Sequence, residues 1–484
     1  MSRESKRSCG PGQITRRAFL RTAGAGALGL GMWLGDKNAR VSASTTEGQP
    51  LRAAGKPRVH LGFVRFPERT RKGWPGFDYD VEAHQREFTR KLHTWAQELG
   101  MELSVHSEPL QEKETVNRFL DRVRGEPGEG TVLVVLTRYL WGVIGQITDA
   151  VQPLVVFAPI GTSFAPQALG VADKPGVFLA STLDEQALRY GLRMFKAAWQ
   201  LRHSRVLVIA GKAETDRSVD KWGTQLHYIP WRRYPETLEQ VKVTPEVEQL
   251  ADFYLRKAQK VVEPSREEVL TAARIYVACK HLLTEAQAQA ITMDCLPHRP
   301  GRTTPPPCIA WSKFNDEGIP AGCEADLYPT LTLMLIRFLF DRPGYMGNPV
   351  AETEKDWLLI AHCTSALRLR GRDEPGIQFL LRSHAESGKG AVIQALWPEG
   401  EEVTVARLLN PRQMLLGSGR VVANLPHPPA GGCRTTIALA LDVPPDLRQL
   451  RNFHHPVVFL GNQVKRLRAF CQLYGVEVVP LAKG

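Results

Sequence analysis

Three segments of the 484-residue sequence carry side chains that could bind a cation or move a proton. The first is Asn315-Asp316-Glu317-Gly318-Ile319-Pro320-Ala321-Gly322-Cys323-Glu324-Ala325-Asp326. Its carboxylates stand where an apolar run, Cys323 to Phe340, predicts a buried helix. A helix amino terminus carries roughly +0.5 charge and stabilises an anion there, which is also why acids are common in first helical turns. Glu324 and Asp326 are two residues apart and point in different directions, so at most one of them faces a shared ligand. The second segment is Gly344-Tyr345-Met346-Gly347-Asn348-Pro349, followed by the strand Trp357–Ala361 and then His362-Cys363. The third runs from Asn452 through His454-His455-Pro456 to Gly461-Asn462. Two histidines before an apolar strand are either core residues, or one of them is a ligand.

These segments need a scaffold, and the periodicity supplies three regions. Residues 57–170 alternate strand and helix. Arg58–Arg65, Glu102–His106, Thr131–Leu136 and Pro153–Ala158 read as strands, and Asp80–Leu99 reads as a helix closed by Gly100. Thr131–Leu136 is apolar throughout, as in a parallel sheet covered on both faces. Residues 171–355 continue in α/β style with the strand Arg205–Gly211 and amphipathic helices at Glu246–Glu263 and Glu267–Ala290. Residues 356–484 change to short alternating runs punctuated by Gly and Pro, closed by the helix Val464–Leu473 and the strand Val476–Pro480. The expected fold is therefore α/β: two Rossmann-like parallel domains followed by a β-barrel-like domain.

Composition narrows the function. Half of the net charge of +12 lies in residues 1–42. The remaining basic residues are scattered and form no stripe interleaved with aromatics, so no nucleic-acid partner is expected. No apolar stretch is long enough for a stable membrane span. Thr15-Arg16-Arg17-Ala18-Phe19-Leu20-Arg21 has the arrangement of a twin-arginine export motif. The short apolar run Ala23–Leu34 and the small residues Val41-Ser42-Ala43 follow it. Residues 1–43 are thus expected to be a signal peptide, 44–56 a linker, and the mature chain to leave through the twin-arginine translocase for the periplasm or the exterior. Within that segment Gly24-Ala25-Gly26-Ala27-Leu28-Gly29 follows no strand and is not a dinucleotide loop. The eight cysteines contain no C-x-x-C pair and read as small core residues.

Taken together, the three segments resemble the L-fucose/L-arabinose isomerase superfamily. The N-D-E-G-I-x-A-x-C-E-A-D run, the later His362-Cys363, and the closing His455…Gly461 turn with its helix and G-x-E-V-V strand carry the resemblance. His384-Ala385-Glu386, Gly390 and Glu402–Arg407 resemble the family's carboxy-terminal barrel. The resemblance implies two Rossmann-like domains and a barrel, and often a symmetric homo-oligomer. It also implies a divalent cation, usually Mn²⁺, held by a Glu, an Asp and a His. The Glu corresponds to Glu324, the His to His455, and the Asp to position 348, where this sequence has Asn348.

Aldose–ketose isomerisation moves a proton between C1 and C2 of a monosaccharide through an ene-diol. A hard cation on oxygen and imidazole ligands stabilises the developing charge, and a carboxylate beside it shuttles the proton. On the resemblance, Glu324 would bind the cation and act as base, and His455 would complete the ligand set. An amide at 348 is neutral and takes no proton. Asp326 or Glu352 could compensate. His362, His384 and Trp311, with Tyr345 and Trp397, are candidates for the sugar-binding wall. The leading expectation is an exported metal-dependent sugar isomerase, an intramolecular oxidoreductase. A non-catalytic carbohydrate-binding relative is the alternative that Asn348 favours. A solute-binding protein of two α/β lobes would leave the third region unexplained.

Overall fold

The computed structural model describes residues 55–67, 75–296, 303–426, 433–444 and 453–481. These belong to a compact unit that runs from Ser42 onward. The twin-arginine segment and its cleavage region lie outside the described residues.

The first sheet comprises β1 (Arg58–Val64), β2 (Glu102–Pro109), β3 (Gly130–Val135), β4 (Leu154–Ala158) and β5 (Val177–Ser181), all parallel, in the order β2-β1-β3-β4-β5. Alternation within β3 explains why Val132–Val135 are all apolar. Val132 and Val134 face helix α1 (Val81–Glu98) through Phe88 and Leu92. Leu133 and Val135 face α2 (Lys113–Gly125) and α3 (Trp141–Ala150) through Phe119 and Ile144. The α1 helix starts on Asp80, whose side chain accepts the Ala83 N–H, and ends before Gly100, whose φ of +67° suits a glycine. The helix α4 (Ala165–Ala172) leads into β5. Because β5 completes this sheet, the sheet extends past residue 170, the boundary expected from the sequence.

After α5 (Gln186–Arg202), the second sheet contains β6 (Arg205–Ile209), β7 (Thr215–Ser218), β8 (Gln225–Ile229), β10 (Ala290–Met293) and β11 (Ala321–Cys323). Its order is β11-β10-β6-β8-β7, parallel except for β7. The helices α6 (Arg233–Gln240), α7 (Pro245–Lys257) and α8 (Arg266–Glu285) fall between β8 and β10, with the two-residue strand β9 (Lys260–Val261) inside that stretch. The helix α9 (Cys308–Asp316) separates β10 from β11, and α10 (Leu327–Phe340) follows β11. The buried helix thus begins at Leu327, four residues later than its apolar run suggested. Cys323 ends a strand instead, because Ala321–Cys323 pair with Ile291–Met293.

The third sheet is antiparallel and curled into a half-barrel, in the region expected to be barrel-like. It contains β12 (Tyr345–Met346), β13 (Asn348–Glu352), β14 (Trp357–His362), β17 (Glu402–Asn410), β18 (Gln413–Leu425), β19 (Thr435–Leu441) and β20 (Val457–Leu460). Their order is β12-β20-β17-β18-β19-β14-β13. The closing helix α11 (Val464–Leu473) leads to β21 (Glu477–Pro480), which joins β18 in parallel. β15 (Phe379–Arg382) and β16 (Val392–Ala395) form a small sheet with β9. The two outermost strands of the curled sheet, β12 and β13, are consecutive in the chain and joined at Gly347. That single turn therefore bridges β20 on one side and β14 on the other.

Candidate metal centre

The end of β11 departs from regular backbone. Glu324 and Ala325 have φ of +60° and +54°, and His455, just before Pro456 and β20, has φ of +47°. Left-handed backbone costs an L-residue about 1–2 kcal/mol, and a residue before proline is further restricted. Three of the seven described non-glycine residues with positive φ therefore cluster at one place. Such strain persists only where surrounding contacts enforce it. Here the Ala325 N–H donates to the Met293 carbonyl at 2.9 Å, and the Cys323 N–H points to the Met346 sulfur at 3.1 Å.

This backbone sends Glu324 and Asp326 to opposite edges of one imidazole. Glu324 Oε2 lies 3.6 Å from His455 Nε2. Asp326 Oδ2 lies 3.0 Å from His455 Nδ1 and 3.7 Å from the Arg407 guanidinium. Asp326 occupies the N-cap position of α10, yet its side chain makes no cap hydrogen bond. An N-cap aspartate normally accepts from its own helix. Its diversion to a buried histidine follows the carboxylate–imidazole pairing that orients metal-binding rings.

His362, at the end of β14, approaches the other oxygen: its Nε2 lies 3.5 Å from Glu324 Oε1. The His362 and His455 rings are 5.6 Å apart between centroids and inclined by 64°. The curl of the sheet brings these rings together. Gly347 donates to the Pro456 carbonyl at 3.1 Å, beside His455, and Asn348 pairs with Ala361, beside His362.

Both Nε2 atoms are buried without a hydrogen-bond partner. At 3.5 and 3.6 Å from the Glu324 oxygens they are too distant for good hydrogen bonds. Two donors sharing one small cation at ~2.0–2.2 Å stand roughly 3–3.5 Å apart. One ligand atom each from Glu324, His362 and His455 lie within 4.8 Å of one another. This buried Glu/His/His group could hold a metal ion. Its opening is on the carboxylate side, where the Glu324 side chain remains 27% exposed.

The charges reinforce one another. Burial would push the Glu324 carboxyl up, but His362 and His455 beside it outweigh burial and hold it well below the usual carboxylate range. Burial would lower His455, but Asp326 and Glu324 outweigh it and raise the ring to about 10. Without a cation, His455 Nε2 is therefore protonated near neutral pH, and a metal ion there displaces that proton. The neighbouring thiols do not compete. Burial pushes Cys323 up, and the Cys308 thiol together with burial does the same to Cys363.

The other expected site residues are placed differently. Asn348 is exposed at the start of β13 and lies at the rim, one residue from the segments that carry His362 and His455. Among the described residues no hydrogen bond ties it to Glu324 or to either histidine. Glu352 ends β13 and spends one oxygen on the Glu354 N–H, so the acid that joins the site is Asp326. His384 is buried between β15 and β16, and its Nδ1 faces Ser387. Burial, with His362 and Arg434 nearby, lowers its pKa to about 4, so its ring is neutral. His454 is exposed and points elsewhere than its neighbour.

Trp311 corrects an expectation. It is fully buried, with its indole N–H on the Gly322 carbonyl, and offers no surface to a sugar. Tyr345 and Trp397 are core residues too, bonded to the Thr435 carbonyl and the Ser365 hydroxyl. Sequence reading placed His362 only on the cleft wall and missed Asp326 as the partner of His455. The available signal was an acid at the start of an apolar helix, but its target lies on a different sheet.

No known protein-family profile matches the chain, and no curated protein matches it. Among the described residues no helix is long and apolar enough to cross a membrane.

Proposed function

We propose that this chain is an exported, metal-dependent sugar isomerase-like protein that interconverts aldoses and ketoses through an ene-diol. One observation carries the reading: Glu324 and His455, contributed by two different sheets, meet at 3.6 Å around buried, unsatisfied imidazole nitrogen. The resemblance to the fucose/arabinose isomerases rests on these same two positions. A divalent cation, Mn²⁺ or another, would be held by Glu324 and His455 and would polarise the two sugar oxygens.

The chain's own residues then have distinct tasks. Asp326 fixes the His455 ring through Nδ1 and aims Nε2 at Glu324. Arg407 balances the charge of Asp326. Glu324, ionised at rest, would take the proton from C2 on a carboxylate oxygen, become the neutral acid, and return the proton to C1. The backbone turn at Glu324–Ala325 holds that carboxylate at the open side of the group.

The test is ketose formation from a panel of aldoses with added Mn²⁺, on the native chain, on Glu324→Gln and on Asn348→Asp. Turnover by the native chain that is lost in Glu324→Gln is expected. A second reading, carbohydrate binding without turnover, is favoured by the neutral Asn348 at the rim. Calorimetric binding of an aldose by a native chain that forms no ketose would decide for it.

A further inference from the structure

His362 and His455 turn the same nitrogen, Nε2, toward opposite oxygens of one carboxylate. Their Nδ1 atoms face opposite kinds of partner. Asp326 Oδ2 accepts from His455 Nδ1, so that nitrogen carries a proton, and once a cation displaces the proton on Nε2 that atom presents a lone pair. His362 Nδ1 sits 3.0 Å from the Cys363 backbone N–H, which can only donate. That nitrogen must therefore hold the lone pair, and the ring's proton sits on Nε2. One ring is set as a cation ligand and the other as a donor, although the two are placed symmetrically about Glu324.

We infer that His362 is a fixed hydrogen-bond donor to the substrate rather than a member of the ligand set. Its Nε2–H is buried, and Glu324 Oε1, at 3.5 Å, is too far for a good hydrogen bond. His362 itself is 6% exposed. A buried donor so poorly paired is costly, and an oxygen brought in beside Glu324 Oε1 would pair it fully. Resting on the isomerase reading, that acceptor is a carbonyl or hydroxyl oxygen at C1 or C2 of an open-chain monosaccharide seated beside Glu324 Oε1. A ligation role would require the His362 proton to move to Nδ1, directly against the Cys363 N–H.

The test uses the full chain labelled with ¹⁵N-histidine and Zn²⁺ as a diamagnetic probe. Long-range ¹H–¹⁵N spectra should show His362 as the Nε2–H tautomer both without and with Zn²⁺. His362→Ala should bind Zn²⁺ within about threefold of the native chain. Losing even a supporting partner of a true metal ligand costs roughly 10–100-fold. Turnover of the responsive aldose should fall about 10²–10³-fold in His362→Ala and recover in part in His362→Gln, which keeps an N–H. An Nδ1–H tautomer on adding Zn²⁺, or a tenfold or greater loss of Zn²⁺ affinity in His362→Ala, overturns the inference and leaves the isomerase reading standing. If the variant does not fold, the spectra of the native chain decide. Absence of turnover of every aldose by the native chain sinks the isomerase reading and the sugar-oxygen role with it, whatever the tautomer.

Discussion

Asp326 reaches His455 Nδ1 at 3.0 Å instead of capping the helix it begins. The helix gives up about 1 kcal/mol of ordinary capping stability, and a buried imidazole gains a fixed orientation. Asp326→Asn keeps the shape but removes the charge, and its amide can turn a donor toward Nδ1. Divalent cation affinity should drop roughly 10–100-fold, as measured by chelator competition. Unchanged affinity would mean that the pair is structural only.

Strain at Glu324–Ala325 makes a second prediction, about stability. Ala325 has φ of +54° and only a small, half-buried methyl packed against the core, so glycine can take its place without removing a group of the site. Relief of about 1–2 kcal/mol is offset by the ~0.4–1 kcal/mol of extra freedom glycine gives the unfolded chain. Ala325→Gly should therefore stabilise the protein by up to about 1 kcal/mol, read as a raised denaturant midpoint. Ala325→Val should lower it. Stabilisation by valine would show that this turn is not strained.

A third prediction concerns pH. Asp316 closes α9, and its Oδ1 accepts the backbone N–H groups of Leu367 and Arg368 at 2.8 and 2.7 Å. Burial raises its carboxyl from 3.8 to about 6, against the lowering effect of those two bonds. The folded state thus holds the proton more tightly than the unfolded chain. The contribution is fully present below about pH 3.8 and is lost as pH rises through about 6. Its size is roughly 3 kcal/mol. Asp316→Asn retains an acceptor oxygen for both N–H groups. It should flatten the stability profile between pH 4 and 6, as followed by denaturation midpoints across that window. An unchanged slope would place the titration elsewhere.

Much of this architecture is legible in the sequence, and the failures have local causes. Thr131–Leu136 announces a doubly covered strand because every position after Thr131 is apolar, and Val464–Leu473 is the helix its periodicity predicts. Glu324 and His455 are singled out through the resemblance to the fucose/arabinose isomerases; residue type alone reads as easily as an acid in a first helical turn and a core histidine. Two features hid the rest. Cys323 continues an apolar run that reads as helix, and only pairing with Met293 makes it the end of a strand. The histidine that joins Glu324 and His455 is set by a seven-strand path ending on both sides of Gly347, a long-range closure with no local pattern. Trp311 misled for the usual reason: an aromatic near a charged segment can be core, and this one fills the space behind Gly322. Trp311→Ala should accordingly destabilise the protein by about 3–5 kcal/mol, with any loss of aldose binding following the loss of fold.

The curl itself can be tested at Gly347. A Cβ there would lie 2.7 Å from the Ile360 side chain and 3.2 Å from the Ala361 carbonyl oxygen. Ile360 is fully buried in β14 and has no room to yield. Gly347→Ala must then push the β12–β13 turn away from β14 or loosen its bond to the Pro456 carbonyl. Either movement shifts His455 relative to Glu324, since His455 directly precedes Pro456. Overpacking of this kind costs about 1–3 kcal/mol, and cation affinity should fall along with stability. Val350→Ala, at an exposed position on the same strand, serves as the comparison and should leave both near native values. Denaturant midpoints and Zn²⁺ competition on the two variants check the prediction. Native affinity and stability in Gly347→Ala would show that this turn does not set the position of His455.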